Sequence, residues 1–446
     1  MSIPVSIFND VIGPVMRGPS SSHCAASLRI ARIARDLMDG EISNVDIVFD
    51  RHGSLATTHK SQGSDMGLFG GFLGWDPVDQ RLVNAEKHIS DAGIDINMEI
   101  QDLHDPHPNT YRLTLGNSKE KHFVKAVSTG GGMISIQEID GIALNIAGDY
   151  YETLIYVEGP ADEVVNTLKP ALENAEIIVH HDGTANLVQV KSGAFVNSEI
   201  ADSVESASDI KYIKYLAPVL PVLSRKDIQV PFSNCDQMLK YDDSRNLPLW
   251  QLAVDYESMR GGISGDEVLG KMVDIVKTIR DSIANGISGT EYTDRILGFQ
   301  CGRFKEKMET ASLLDAGLMN TIVLYVTALM EVKSSMGVIV ASPTAGSCAA
   351  FPGACLAVAD SLEADDQAAA KAMLAGGLIG VFVAERSTFA AEEAGCQAEC
   401  GSGSGMAAAA MVNLAGGTAK QALAAAAMAF QNSLGMVCDP VANRVE

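Results

Sequence analysis

Apolar and polar positions follow two rhythms along this chain, and the rhythm changes near residue 225. Before that point helical and strand periods are mixed. "SLRIARIARDLMDG" places apolar residues at helical spacing and stops on a glycine, whereas "NVDIVFDRHGS" and "TYRLTLGNS" alternate as strands do. From about 150 the text runs strand, helix, strand, turn, strand: "ETLIYVEG", "PADEVVNTLKPALE" and "AEIIVHHDGTANLVQVKSG", with Asp182-Gly183 as the hairpin turn. Beyond about 225 almost everything is helical, with Ala-rich runs such as "MAAAAMVNLAGGTAKQALAAAAMAFQ". Small residues on several helix faces predict closely packed helices, and the lack of a fixed period predicts one bundle rather than a solenoid. The predicted fold class is therefore α+β multidomain. It comprises an N-terminal α+β domain over 1–148, a small ferredoxin-like (ACT-like) module over 149–197, a connector over 198–225 and an all-α helical domain over 226–446.

Composition narrows the functions open to such a chain. At 446 residues it exceeds one ordinary hydrophobic core, in keeping with several domains. A formal charge of -23, with no local basic patch, argues against nucleic acid or an anionic membrane as partner. The start "MSIPVSIFNDVIG" has no basic residues followed by a long apolar run, so a cytoplasmic location is expected. In that compartment the eight cysteines are not a disulfide framework and must be buried thiols or metal ligands. The apolar span "GVIVASPTAGSCAAFPGACLAVA" is broken by Pro343 and Pro352, and reads as buried helix ends rather than a membrane helix.

Two catalytic motifs fail on inspection. "GDEVLGKM" has P-loop spacing, but Met272 stands where a magnesium-binding hydroxyl belongs and two acidic residues would face the phosphates. "GSGSG" does not centre a serine in a nucleophile elbow. The thiols are better placed: Cys348, Cys396 and Cys438 each sit in a Gly- or Pro-punctuated turn beside a helical run. Such turns can converge on one metal or cluster, since glycine permits close backbone approach and helix N-termini favour thiolate. Buried cysteines acting as small apolar residues fit the same pattern. In "RGPSSSHCAASLRIARIARDL", Ser20, Ser21 and Ser22 precede a helix, where they can cap it or hold an anion.

The segments "GPSSSH", "GSLATT" with Ser64-Asp65, "HPNT", "STGGGM", "PTAGSC", "GCQAECG" and "LGMVCDPV" occur in an order that resembles the bacterial iron–sulfur-dependent L-serine dehydratases. The resemblance spans a β-type and an α-type domain fused in one chain. It implies a [4Fe–4S] cluster on Cys348, Cys396 and Cys438, the other cysteines serving as packing. It also implies dehydration of a small hydroxy amino acid, L-serine to pyruvate and ammonia, without pyridoxal phosphate. His23 and His107 then become candidate bases, because imidazole titrates near working pH, although either can be a structural hydrogen-bonder. Ser20, Ser21, Ser22, Ser54, Gln62, Asp65, Asn109 and Thr344 become candidate contacts to the substrate, with turn and cap chemistry as the competing role. A homodimer is the expected assembly.

Three departures from the family pattern stand out. Gln62 falls where these enzymes carry a histidine, replacing a titratable group by a neutral amide. "FQNSLGMVC" replaces a Glu-His-Asn run, and family members continue beyond "DPVANRVE", so a missing C-terminal tail is expected. The first two leave open a lyase for another β-substituted amino acid. The ferredoxin-like module and the short end leave open a metabolite sensor.

Overall fold

Val45, Ile47 and Phe49 point the same way from β1 (Asn44–Asp50), and that alternation fixes which face of the strand is buried. Fully burying each such side chain contributes about 1.5–3 kcal/mol. The chain is seen in a computed structural model that describes residues 3–181, 186–295 and 298–437. It packs as two compact units. One holds Ala26–Thr129 and Met133–Ile228; the other holds Met1–Ala25, Gly130–Gly132 and Gln229–Glu446.

The first unit is built on a six-stranded sheet. Its strands are β1, β2 (Asp95–Gln101), β3 (Thr110–Gly116), β4 (Lys121–Gly130), β5 (Met133–Ile139) and β6 (Ile142–Ile146), in the order β2-β1-β3-β4-β5-β6. β1 and β2 run parallel; β1 and β3 are antiparallel, so that Val45 pairs Leu115 and Ile47 pairs Leu113. Helices α1 (Ala26–Leu37) and α3 (Ser64–Phe72) share the core with the sheet. They approach so closely that a Cβ on Gly71 would stand 2.4 Å from the Leu28 carbonyl oxygen, which explains a glycine there.

A four-stranded antiparallel sheet follows in the same unit. β7 (Tyr151–Val157), α4 (Asp162–Ala171), β8 (Glu176–His181), β9 (Asn186–Ser192), α5 (Ser198–Ala207) and β10 (Ile210–Leu216) are arranged in the strand order β10-β7-β9-β8. The expected hairpin turn at Asp182-Gly183 lies outside the described residues. Residues 198–216, expected to be connector, instead supply the second helix and the fourth strand. One face of this sheet (Ile155, Val157, Val188, Val190) packs with α4 and α5. The other face lends Leu154, Tyr156, Leu187 and Leu216 to the larger core. The buried Lys214 on β10 fastens the join, donating to Asp39 Oδ2 at 2.6 Å and Glu120 Oε2 at 2.8 Å.

The second unit centres on α10 (Asp366–Ala384), which is buried over most of its length. Against it lie α6 (Leu249–Gly261), α7 (Gly265–Ser288), α9 (Ala350–Ser361) and α11 (Ser402–Leu414), with α8 (Leu318–Ser334) packed on α7 and α9, and α12 (Ala419–Ser433) on α11. By length and composition α10 could cross a bilayer, and 72% of its apolar window is buried among the other helices. The near-miss P-loop is the first two turns of α7, capped by Ser264, which accepts from the Glu267 N–H. The long Ala-rich run forms two helices, parted at Gly416-Gly417 and restarted by a Thr418–Gln421 capping box.

The N-terminal residues, expected in the α+β domain over 1–148, belong to this helical unit. Glu257 on α6 explains why. Its buried carboxylate accepts from Ser6 Oγ at 2.5 Å and Ile7 N at 2.8 Å, while Tyr256 donates to the Val5 carbonyl and Arg260 to the Pro4 carbonyl. Further on, Val15–Met16 pairs antiparallel with Ile339–Val340. Gly130–Gly132 of "STGGGM" joins the unit too, Gly131 lying beside the Pro343 carbonyl.

Candidate functional site

The predicted site residues sort into two polar clusters, one in each unit. In the helical unit, the ladder between Val15–Met16 and Ile339–Val340 sets Arg17–Ala25 alongside the loop Pro343–Cys348. Arg17 Nη1 donates to the Met336 carbonyl at 2.9 Å, and the Ala345 N–H donates to Ser21 Oγ at 3.3 Å. Ser21–Ala25 forms a π-helical turn that leads into α1. Just before it the Ser20 hydroxyl lies 3.0 Å from His23 Nδ1, a contact that orients the imidazole. His23 is buried, and burial lowers its pKa to about 4.

Thr344 binds that loop to the third segment. Its hydroxyl donates to Glu399 Oε1 at 2.9 Å and accepts from the Ser347 N–H at 3.3 Å. Glu399 lies in the π-helical turn Gln397–Gly401, immediately after Cys396. Against this turn runs a fourth segment: the Gln397 N–H donates to the Met436 carbonyl at 3.3 Å, and the Gly435 N–H to Gln397 Oε1 at 2.8 Å. Gly395, at φ +71°, permits the approach, because a Cβ there would lie 2.5 Å from the Met436 oxygen. The chain is thus brought to Val437 beside Cys396; Cys438 itself lies outside the described residues.

The cysteines of these segments are soft thiol donors of the kind transition metals take. Cys348 is buried two residues before α9, and desolvation pushes its thiol up to about 12, opposed by the buried cation of Lys333 on α8. Such a thiol becomes thiolate when a cation binds it. Cys396 is half-buried, and Cys400, assigned to packing from sequence, shares its turn and is electrostatically linked to Cys348. Among the described residues no group of three or more His, Cys, Asp or Glu side chains is close enough to hold one metal. Cys24, Cys301 and Cys355 are buried; Cys24 donates to the Arg17 carbonyl and Cys301 to the Leu324 carbonyl, and Cys235 is half-buried.

The second cluster lies at one end of the six-stranded sheet. Asp50, at the end of β1, accepts from the His52, Leu103 and Asp105 N–H groups and so gathers the loop that carries His107 and Asn109. Those bonds hold its carboxyl below the usual range, against a desolvation effect that is larger than any one of them. Ser54 donates to Asn109 Oδ1, and its backbone carbonyl accepts from Thr58 Oγ1 at 2.7 Å. The Asn109 N–H donates to His107 Nδ1 at 3.1 Å. Ser54 and His59 flank the one-turn helix α2 (Leu55–Thr58), and His59 Nδ1 is 2.6 Å from Asp65 Oδ1. Gln62 is buried in the same loop.

Sequence reasoning missed Ser347, Glu399 and the His59–Asp65 pair. The first two stand inside the quoted "PTAGSC" and "GCQAECG", where the cysteines drew the attention. The pair is six residues apart, a spacing with no meaning until the loop closes on itself.

The serine dehydratase alpha chain family profile matches residues 244–446. A probable L-serine dehydratase beta chain of Bacillus subtilis is 39% identical over 150 residues, 34% of this chain and 67% of its own length. A probable L-serine dehydratase alpha chain of the same organism is 30% identical over 215 residues, 48% of this chain and 72% of its own. An L-serine dehydratase of Streptomyces coelicolor is 22% identical over 435 residues, 96% of this chain and 83% of its own. The chain thus spans about two thirds of the beta-chain relative it matches.

Proposed function

The chain belongs to the L-serine dehydratase family, and from that premise we propose that it eliminates water from L-serine, yielding pyruvate and ammonia. The observation that carries this reading is the meeting of Pro343–Cys348, Cys396–Gly401 and the segment ending at Val437, three stretches far apart in sequence that bear or lead into the three cysteines. Cys348, Cys396 and Cys438 would hold a [4Fe–4S] cluster, whose open iron would supply Lewis acidity toward a leaving hydroxyl.

The protein's own groups divide the rest of the work by what their hydrogen bonds leave over. Thr344 has spent its proton on Glu399 and one lone pair on the Ser347 N–H, so toward the substrate ammonium it would offer the lone pair that the Ser347 hydroxyl, 3.2 Å away, also meets. Asn109 accepts from Ser54 through Oδ1, which leaves its amide N–H groups to donate, as a carboxylate requires. Ser22 stands in the turn at the head of α1 and Ser20 just before it, where backbone N–H groups also favour an anion. Loss of the α-proton to a base, with the C–O pair leaving as hydroxide, gives an enamine that tautomerises and hydrolyses to the 2-oxo acid and ammonia. No pyridoxal phosphate enters this scheme.

The reading extends to a cytoplasmic homodimer that takes a small amino acid rather than nucleic acid or membrane. The element and strand order of the four-stranded sheet supports an ACT-like module in the middle of the chain. Anaerobic reconstitution with iron and sulfide tests the whole: cluster absorption and pyruvate from L-serine are expected. A loaded chain that releases 2-oxo acid only from other β-substituted amino acids would move the substrate, and release from none would overturn the reading. Light scattering reads the assembly.

A further inference from the structure

Three histidines compete to be the proton acceptor, and hydrogen bonding separates them. A neutral imidazole carries one proton, so the nitrogen engaged by the protein fixes what the other can do. His107 accepts the Asn109 N–H on Nδ1, which places its proton on Nε2. Its free nitrogen is therefore a donor. His23 faces Ser20 from a buried position, where the imidazolium that a base must become is disfavoured by desolvation.

His59 has the opposite arrangement to His107. Asp65, a carboxylate, can only accept, so His59 Nδ1 donates across 2.6 Å and the Nε2 lone pair is left over. No described residue bonds that nitrogen, and the side chain keeps 23% of its exposure. The ring is held firmly. The Ser64 and Asp65 N–H groups both close on the His59 carbonyl, at 2.7 and 3.3 Å, and Phe49 packs the imidazole at a centroid distance of 5.2 Å. An oriented lone pair with a carboxylate behind it is the arrangement that accepts a proton and stabilises the resulting cation.

We propose that His59, oriented by Asp65, is the proton acceptor of the elimination, rests on the dehydratase reading above, and does the work that Gln62 in its loop cannot. In the step, the Nε2 lone pair takes the α-proton, the C–H pair becomes the new C=C bond, and the C–O pair departs with hydroxide. The imidazolium returns its proton to water before the next turnover.

The test uses the full chain, loaded anaerobically with iron and assayed for pyruvate from L-serine. His59→Ala should lose at least about 10²-fold in kcat with KM changed little, and added imidazole should restore part of the loss. Asp65→Asn should also lose at least about 10²-fold, through the wrong tautomer, and imidazole should not rescue it. Iron content and circular dichroism equal to wild type exclude misfolding, and His59→Gln, which keeps the bulk and one donor, serves if alanine disturbs the loop. An active wild type whose His59→Ala and His59→Gln variants keep their kcat, or lose it without rescue of the alanine variant by imidazole, would overturn the role of His59 alone. Histidine 15N spectra showing His59 with its proton on Nε2 would do the same without any assay. A loaded wild type inactive on every amino acid would instead bring down the dehydratase reading, and this inference with it.

Discussion

Thr344 and Glu399, 55 residues apart in sequence, are joined by a 2.9 Å hydrogen bond in which the hydroxyl donates to the carboxylate. The bond ties the loop carrying Cys348 to the turn carrying Cys396, so the spacing of those two cysteines depends on it. Thr344→Val removes the donor while keeping the shape. Chemical denaturation should register a loss of about 1–2 kcal/mol. Since the same oxygen is proposed to accept from the substrate ammonium, KM for L-serine should rise more than kcat falls.

Glu257 pins the N-terminal segment to α6 through Ser6 and Ile7. Glu257→Ala would strand both donors and should cost about 3 kcal/mol. Limited proteolysis should then cut within residues 3–12, which the wild type protects. Glu257→Gln keeps one acceptor and should fall between the two.

Gly395→Ala should impair the metal site more than the fold. The φ of +71° and the 2.5 Å approach to the Met436 oxygen together put the strain at about 1–3 kcal/mol, relieved if the 434–437 segment moves away. The expected result is less iron bound per chain at an almost unchanged helical circular dichroism.

His23 makes stability depend on pH in a definite direction. Its folded pKa, about 4, lies below the 6.5 of an ordinary imidazole, so between these values the unfolded chain binds more protons. Stability should be full above about pH 6.5 and should fall by up to about 3 kcal/mol as pH drops to 4. Measured against His23→Gln, which lacks the titration, the stability difference should be flat above about pH 6.5, shift against the wild type by up to about 3 kcal/mol between 6.5 and 4, and be flat again below about 4.

Much of the architecture could be read locally, because it is built by local rules. The alternation in "NVDIVFD" becomes β1, and the turn motifs around Cys348 and Cys396 are where two polar segments meet. What could not be read depends on partners far away. The IKYIKYL strand looks half-polar because Lys214 interrupts it, and only Asp39 and Glu120 make that lysine fit for burial. Residues 3–25 read as the start of the α+β domain, and their true anchor, Glu257, is 250 positions from Ile7. The orientation of His59 is likewise a tautomer question, settled by which nitrogen a carboxylate meets.

The placement of the N-terminus in the helical unit has a consequence for biosynthesis. Ile7, Val11 and Ile12 leave the ribosome well before the surface they bury against, on α6 and α10, which lies hundreds of residues further along the chain. At ordinary elongation rates of about 5–20 residues per second, these side chains wait on the order of tens of seconds without their docking site. The intervening Ala26–Ile228 unit, apart from the loop at Gly130–Gly132, can condense during that interval. The helical unit cannot close on this segment until α10 has emerged, so the segment is exposed to holdase chaperones and to mispairing during that interval.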